Sequence, residues 1–104
     1  MIRHCVFVRF RAEVEAQERA AVFAAIGALE AHIPGLLAVH AGANASPEGL
    51  DKGFGEGFIV DFADRQARDR YLADPEHAKA GARLVAAAEG GLDGILVFDL
   101  ETAA

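Results

Sequence analysis

The chain is poor in the residues that would announce a disulfide, a metal or a nucleic-acid site. It has one cysteine, Cys5, among 104 residues, so no disulfide can form within it, and a lone thiol fits a reducing compartment. Four histidines and one cysteine show no zinc-ligand spacing of the Cys-x-x-Cys or His-Glu-x-x-His kind, and no cofactor is expected. Basic residues are outnumbered by acidic ones, for a net charge of −6. That charge and the scatter of the basic residues argue against a non-specific nucleic-acid binder and against docking on anionic lipid. No apolar run nears the roughly 18 residues that span a bilayer. Met1-Ile2-Arg3-His4 leads straight into a strand-like run with no leader pattern, so the cytoplasm is expected. There is no tryptophan and one tyrosine, Tyr71.

What is present is ordinary globular composition, 53% hydrophobic and 25% charged, at a length suited to one domain over 1–104. Ile2 to Phe10 alternates: Ile2, His4, Val6, Val8 and Phe10 point one way, and Arg3, Cys5, Phe7 and Arg9 the other. From Glu13 the period becomes helical, with Val22, Phe23, Ile26, Leu29 and Ile33 on one stripe and Glu13, Glu15 and Glu18 in the first turns. Pro34-Gly35 ends that helix, and Leu36 to Gly42 reads as a second strand. Asn44 to Gly57 is a glycine-rich loop. Phe58 to Phe62 is a third strand with Phe58, Val60 and Phe62 on one face. Asp64 caps a short helix over Arg65 to Leu72. Asp74-Pro75-Glu76 starts another, running to about Ala88. Ile95 to Leu100 is the last strand. The order is β-α-β-β-α-β, a ferredoxin-like α+β fold with an antiparallel sheet and helices on one face. The other face carries Phe7 and Cys5, so a homodimer through the open sheet face is expected, closing a barrel-like core.

His4 shares its strand face with apolar residues and needs a buried hydrogen-bond partner; it reads either as a core histidine tied to a hydroxyl or carbonyl, or as a pocket imidazole. His77 lies in the first turn of its helix, whose N-terminus disfavours a charged ring; it reads either as a neutral general base in a pocket or as an exposed first-turn histidine with no role. Tyr71 reads as a packed ring or as a pocket hydroxyl able to polarise a carbonyl. Phe23, Ile26, Phe58, Val60 and Phe62 would line the same interior, as core or as the wall of an apolar ligand site. The alanines and Gly81 of the last helix leave room for a void. Cys5 lies on the opposite face, away from any group that would activate it. Arg3 and Arg9 flank that face and are candidates to pair with acids of a second subunit. Asp51 and Glu56 are a weak cation signal.

The run Ile2-Arg3-His4-Cys5-Val6-Phe7-Val8-Arg9-Phe10, then Ile33-Pro34-Gly35, Asp61-Phe62, Tyr71-Leu72-Ala73-Asp74-Pro75-Glu76-His77 and Leu96-Val97-Phe98-Asp99-Leu100 together resemble the stress-responsive α/β-barrel (Dabb) domain family. The resemblance spans nearly the whole chain. It implies a dimeric α+β barrel. It also implies a pocket like that of a plant polyketide cyclase in the family, which performs a cofactor-free aldol condensation. His4, Tyr71 and His77 match that pocket's residues, with His77 as the base. Asp74 departs from the pattern, since many members have histidine before the proline. Two readings follow: a protein binding a small apolar or aromatic carbonyl-type ligand, and a cofactor-free enzyme of the polyketide-cyclase type. A cofactor-free monooxygenase, as in related barrels, is a third.

Overall fold

The structure is a computed structural model and describes residues 1–103. Its elements are β1 (Ile2–Val8), α1 (Ala16–Gly27), β2 (Leu36–Ala43), β3 (Glu56–Phe62), α2 (Arg65–Ala73), α3 (Pro75–Ala87) and β4 (Ile95–Glu101), with a short 3₁₀ turn, Gly91–Gly94, before the last strand. The sheet order is β2-β3-β1-β4 with every neighbouring pair antiparallel. This is the expected ferredoxin-like α+β fold, with the second helical segment divided in two. No helix among the described residues is long and apolar enough to cross a membrane.

The division falls at Asp74, the single residue between α2 and α3. Proline disfavours helical backbone at the residue before it, and Asp74 is extended at φ −73°, ψ 133°. Its backbone N–H still bonds the Tyr71 carbonyl, closing α2, while its carboxylate accepts from the Glu76 N–H at 2.8 Å, opening α3. Asp64 caps α2 in the same way, accepting from the Ala67 N–H at 2.9 Å.

The first helix differs from expectation at both ends. It begins at Ala16, so Glu13 and Glu15 precede it; Glu13 pairs with Arg11, and only Glu18 lies in the first turn. It ends at Gly27, and Leu29 and Ile33 are buried from turns beyond it. A run of hydrogen-bonded turns keeps much of the helical spacing without a continuous helix. β1 also stops at Val8, with Phe10 held by an isolated bridge to Ala88.

Val6, Val8, Phe58, Val60 and Phe62 from the sheet pack against Val22, Ile26, Ala67, Tyr71 and Leu84 from the helices. Gly35, at φ +87°, lets the chain turn under α2: a Cβ there would stand 2.6 Å from the Ala67 Cβ. On the far side of the sheet Phe7, Leu96, Phe98 and Leu100 are exposed. A hollow of about 550 Å³ lies between that face and the Leu50–Phe54 part of the loop.

Candidate functional site

The β1 alternation turns His4 toward the helices, where it is 4% exposed. Its cross-strand partners are Val60 on β3 and Asp99 on β4. His4 Nδ1 lies 2.6 Å from Asp99 Oδ1. A carboxylate only accepts, so Nδ1 carries the hydrogen and donates it. The other carboxylate oxygen, Oδ2, accepts from Arg68 Nη1 at 3.1 Å. His4 is thus paired with a carboxylate, where a hydroxyl or carbonyl was the expected partner.

Tyr71 comes up against this pair from α2. Its ring meets His4 edge-on at 5.7 Å between centroids, packs on Phe62 at 5.1 Å and lies 4.3 Å from His77. Tyr71 is fully buried, and its hydroxyl is a buried polar atom with no hydrogen-bond partner. Burial pushes that hydroxyl's pKa far up, so it stays a protonated donor. His77 is held below the ordinary histidine value, first by burial and then by His4 nearby; the Leu72 carbonyl and Asp74 pull the other way. The direction is the one expected for a neutral base, and burial beside another imidazole leads its causes.

The structure therefore brings His4, Tyr71, His77 and Phe62 into one packed group. Phe23 lies elsewhere, edge-on to Phe10 and Phe58 at 5.7 and 6.0 Å. It lines a hollow of about 650 Å³ beside α1 and β2. Ile26 and Val60 are closed core residues, and Phe58 is also buried. Neither that hollow nor the one on the open face is lined by His4, Tyr71 or His77. A groove of about 420 Å³ runs between α1 and α3, lined by Ala25 and Ala28 on one side and by Ala80, among longer side chains, on the other.

Asp99 and Arg68 were not singled out from the sequence. The alternation of β4 puts Asp99 on the same side as Ile95 and Val97, but Val97 is exposed on this edge strand, so the pattern alone did not mark Asp99 as needing a partner. Other charged residues resolve locally. Arg3 pairs with Asp61 of its own chain at 2.9 Å, and Arg9 lies over the Phe54 ring and donates to the Asp93 carbonyl. Glu56 is taken by Arg19 at 2.8 Å, while Asp51 accepts from Asn44 and the Gly53 N–H, so the loop carboxylates do not converge. No metal-binding cluster of three such groups exists among the described residues. Burial raises the Cys5 thiol's pKa against the opposing effect of Arg3, leaving it unactivated.

No curated protein sequence matches the chain. Among solved structures it is similar to a dimeric ferredoxin-like protein of unknown function from Jannaschia sp. CCS1, with 34% identity, 97% of this chain and 98% of that one covered, and a TM-score of 0.91. It shares its fold with a hydroxynitrile lyase from Passiflora edulis (19% identity, 99% and 94% covered, TM-score 0.84). A cofactor-independent oxygenase from Streptomyces nogalater has the same fold (18%, 99% and 93%, TM-score 0.76). The family model for the stress responsive A/B barrel domain matches residues 2–102. With that match and the order of strands and helices that carries His4, Tyr71 and His77, the chain belongs to the stress responsive A/B barrel domain family.

Proposed function

We propose that this protein binds a small carbonyl compound between α2, α3 and the sheet, with the Tyr71 hydroxyl as the donor to its carbonyl oxygen. The observation that carries this reading is the buried, unpartnered hydroxyl of Tyr71, whose ring packs against both imidazoles. A buried donor without a partner costs roughly 1–3 kcal/mol, and a ligand oxygen arriving there would recover much of it. Phe62 supplies an apolar wall. The direct test is a titration with 2,4-pentanedione followed by the fluorescence of Tyr71, the sole tyrosine in a chain without tryptophan. A saturable change that is lost in Tyr71→Phe, read there by NMR shifts of the histidine rings, supports the site; no change in either signal refutes it.

A second reading is catalytic, and the neutral bias of His77 favours it. His77 would take the proton from the carbon next to the carbonyl. The C–H bond pair would become the enolate π bond and the carbonyl π pair would move to oxygen, where Tyr71 donates. No cofactor is needed for that step. Deuterium exchange at C3 of the same diketone, faster with protein than with buffer and abolished in His77→Gln, is the expected result. The lyase and the oxygenase above contribute only their fold to this reading.

The same proposal takes the protein as one domain and as a homodimer through the open sheet face, as the Jannaschia relative is described to be dimeric. Exposed Phe7, Leu96, Phe98 and Leu100 support that face. The single thiol supports a reducing, cytoplasmic setting.

A further inference from the structure

Arg68 differs from the other guanidinium groups in what its partners reach. Arg65 and Arg83 pair with the exposed carboxylates of Glu101 and Glu18, Arg3 and Arg19 join carboxylates outside the His4–Tyr71–His77 group, and Arg70 bonds the Pro34 carbonyl. Arg68 Nη1 instead shares the Asp99 carboxylate with His4, so one carboxylate separates guanidinium from imidazole. Arg68 also stands three residues before Tyr71 on α2, the spacing that puts two side chains on one helix face.

Its two edges are used differently. Nη1 is committed to Asp99. Nε and Nη2, the pair that reads a carboxylate with two parallel hydrogen bonds, both reach Asp69 Oδ1, at 3.2 and 3.1 Å. Asp69 is the next residue in sequence, and its side chain is 66% exposed against 23% for Arg68. An exposed pair of sequence neighbours contributes little, and a single oxygen fills a fork built for two. Asp69 occupies the fork as an exchangeable partner, while Asp99 keeps the guanidinium in place.

We infer that the Nε/Nη2 edge of Arg68 is the anion subsite of the carbonyl site, so that the ligand is a short keto acid whose carboxylate displaces Asp69 while its ketone oxygen meets Tyr71. This assignment rests on the carbonyl-binding reading above and adds the ligand's charge. The hydrogen bonds are exchanged one carboxylate for another, so no net desolvation of Arg68 is required beyond that of the ligand itself.

The test compares acetoacetate with its neutral methyl ester at constant ionic strength, read by Tyr71 fluorescence. Acetoacetate is expected to bind at least about tenfold more tightly than the ester, in the range of a charge-assisted bidentate contact. Arg68→Gln should bring the ratio of acid to ester affinity, measured within the same variant, down to about one, and Arg68→Lys should restore only part of that ratio. Asp69→Asn, an exposed change with little risk to folding, should strengthen acetoacetate binding severalfold without affecting the ester. Equal binding of acid and ester to the unaltered protein, or an acid preference that survives Arg68→Gln, overturns the anion subsite while the carbonyl site stands. Binding of neither probe overturns both.

Discussion

His4 and Asp99 face each other across β1 and β4, 95 residues apart in sequence, with Nδ1 and Oδ1 2.6 Å apart. The pair joins the sheet's second central strand to its edge strand. Through Arg68 the same carboxylate ties that edge to α2. One acidic side chain thus holds three elements around Tyr71 and fixes which His4 nitrogen bears hydrogen. Asp99→Asn keeps the shape and loses the charge on both bonds. A destabilisation of about 1.5–3 kcal/mol is expected, the range for hydrogen bonds to charged groups, measured by urea denaturation.

Tyr71→Phe should separate stability from binding. The substitution removes a buried hydroxyl that has no partner, so the variant should be as stable as the parent or up to about 1 kcal/mol more stable. Ligand binding should fall at the same time. A loss of stability by more than about 1 kcal/mol would show that the hydroxyl is satisfied in solution.

His77 makes stability depend on pH with a definite sign. Its folded pKa lies below the ordinary value of 6.5, so the unfolded chain takes up the proton first as pH falls. The penalty is absent well above 6.5, grows as pH drops through it, and levels off below the folded pKa. His77→Gln should therefore flatten the stability profile on the acid side of 6.5, relative to the parent, in denaturation curves taken from pH 7.5 to 5.

Gly35→Ala should be costly although it adds one methyl group. The backbone there is left-handed at φ +87°, and the new Cβ would meet the Ala67 Cβ at 2.6 Å. A cost of about 2–4 kcal/mol follows from strain and overpacking together, visible as a lowered urea midpoint. Because Ala67 sits one turn before Tyr71, the displaced α2 should also weaken ligand binding.

Phe98→Glu addresses the open face. Phe98 is 58% exposed beside Cys5 on the far side of the sheet, so the charge disturbs nothing in the core. Light scattering should give twice the chain mass for the parent and the chain mass for the variant.

Much of the fold is legible from local chemistry. Asp64 and Asp74 announce helix starts because a carboxylate one residue before a helix satisfies N–H groups that nothing else can reach. His4 can be assigned to the helix-covered face because strand alternation has a period of two. The ends of α1 are less legible, since buried Leu29 and Ile33 continue the helical spacing through turns that are not helix. The site divides the same way. Tyr71 and His77 stand close together in the chain, so the turn at Asp74-Pro75 already brings them near. Asp99 and Arg68 are different, because Asp99 meets both Arg68 and His4 only across the fold.

The residues alone determined the alternation that turns His4 inward, the caps that divide α2 from α3, and the apolar surplus on the outer face of the sheet. Each follows from backbone geometry within a few residues. Only the tertiary structure decided that β4 pairs with β1, and therefore that the carboxylate opposite His4 is Asp99, that Arg68 shares it, and that the Tyr71 hydroxyl is sealed in without a partner. Register between distant strands depends on the packing of the whole core, and no local pattern records which side chain will stand opposite another.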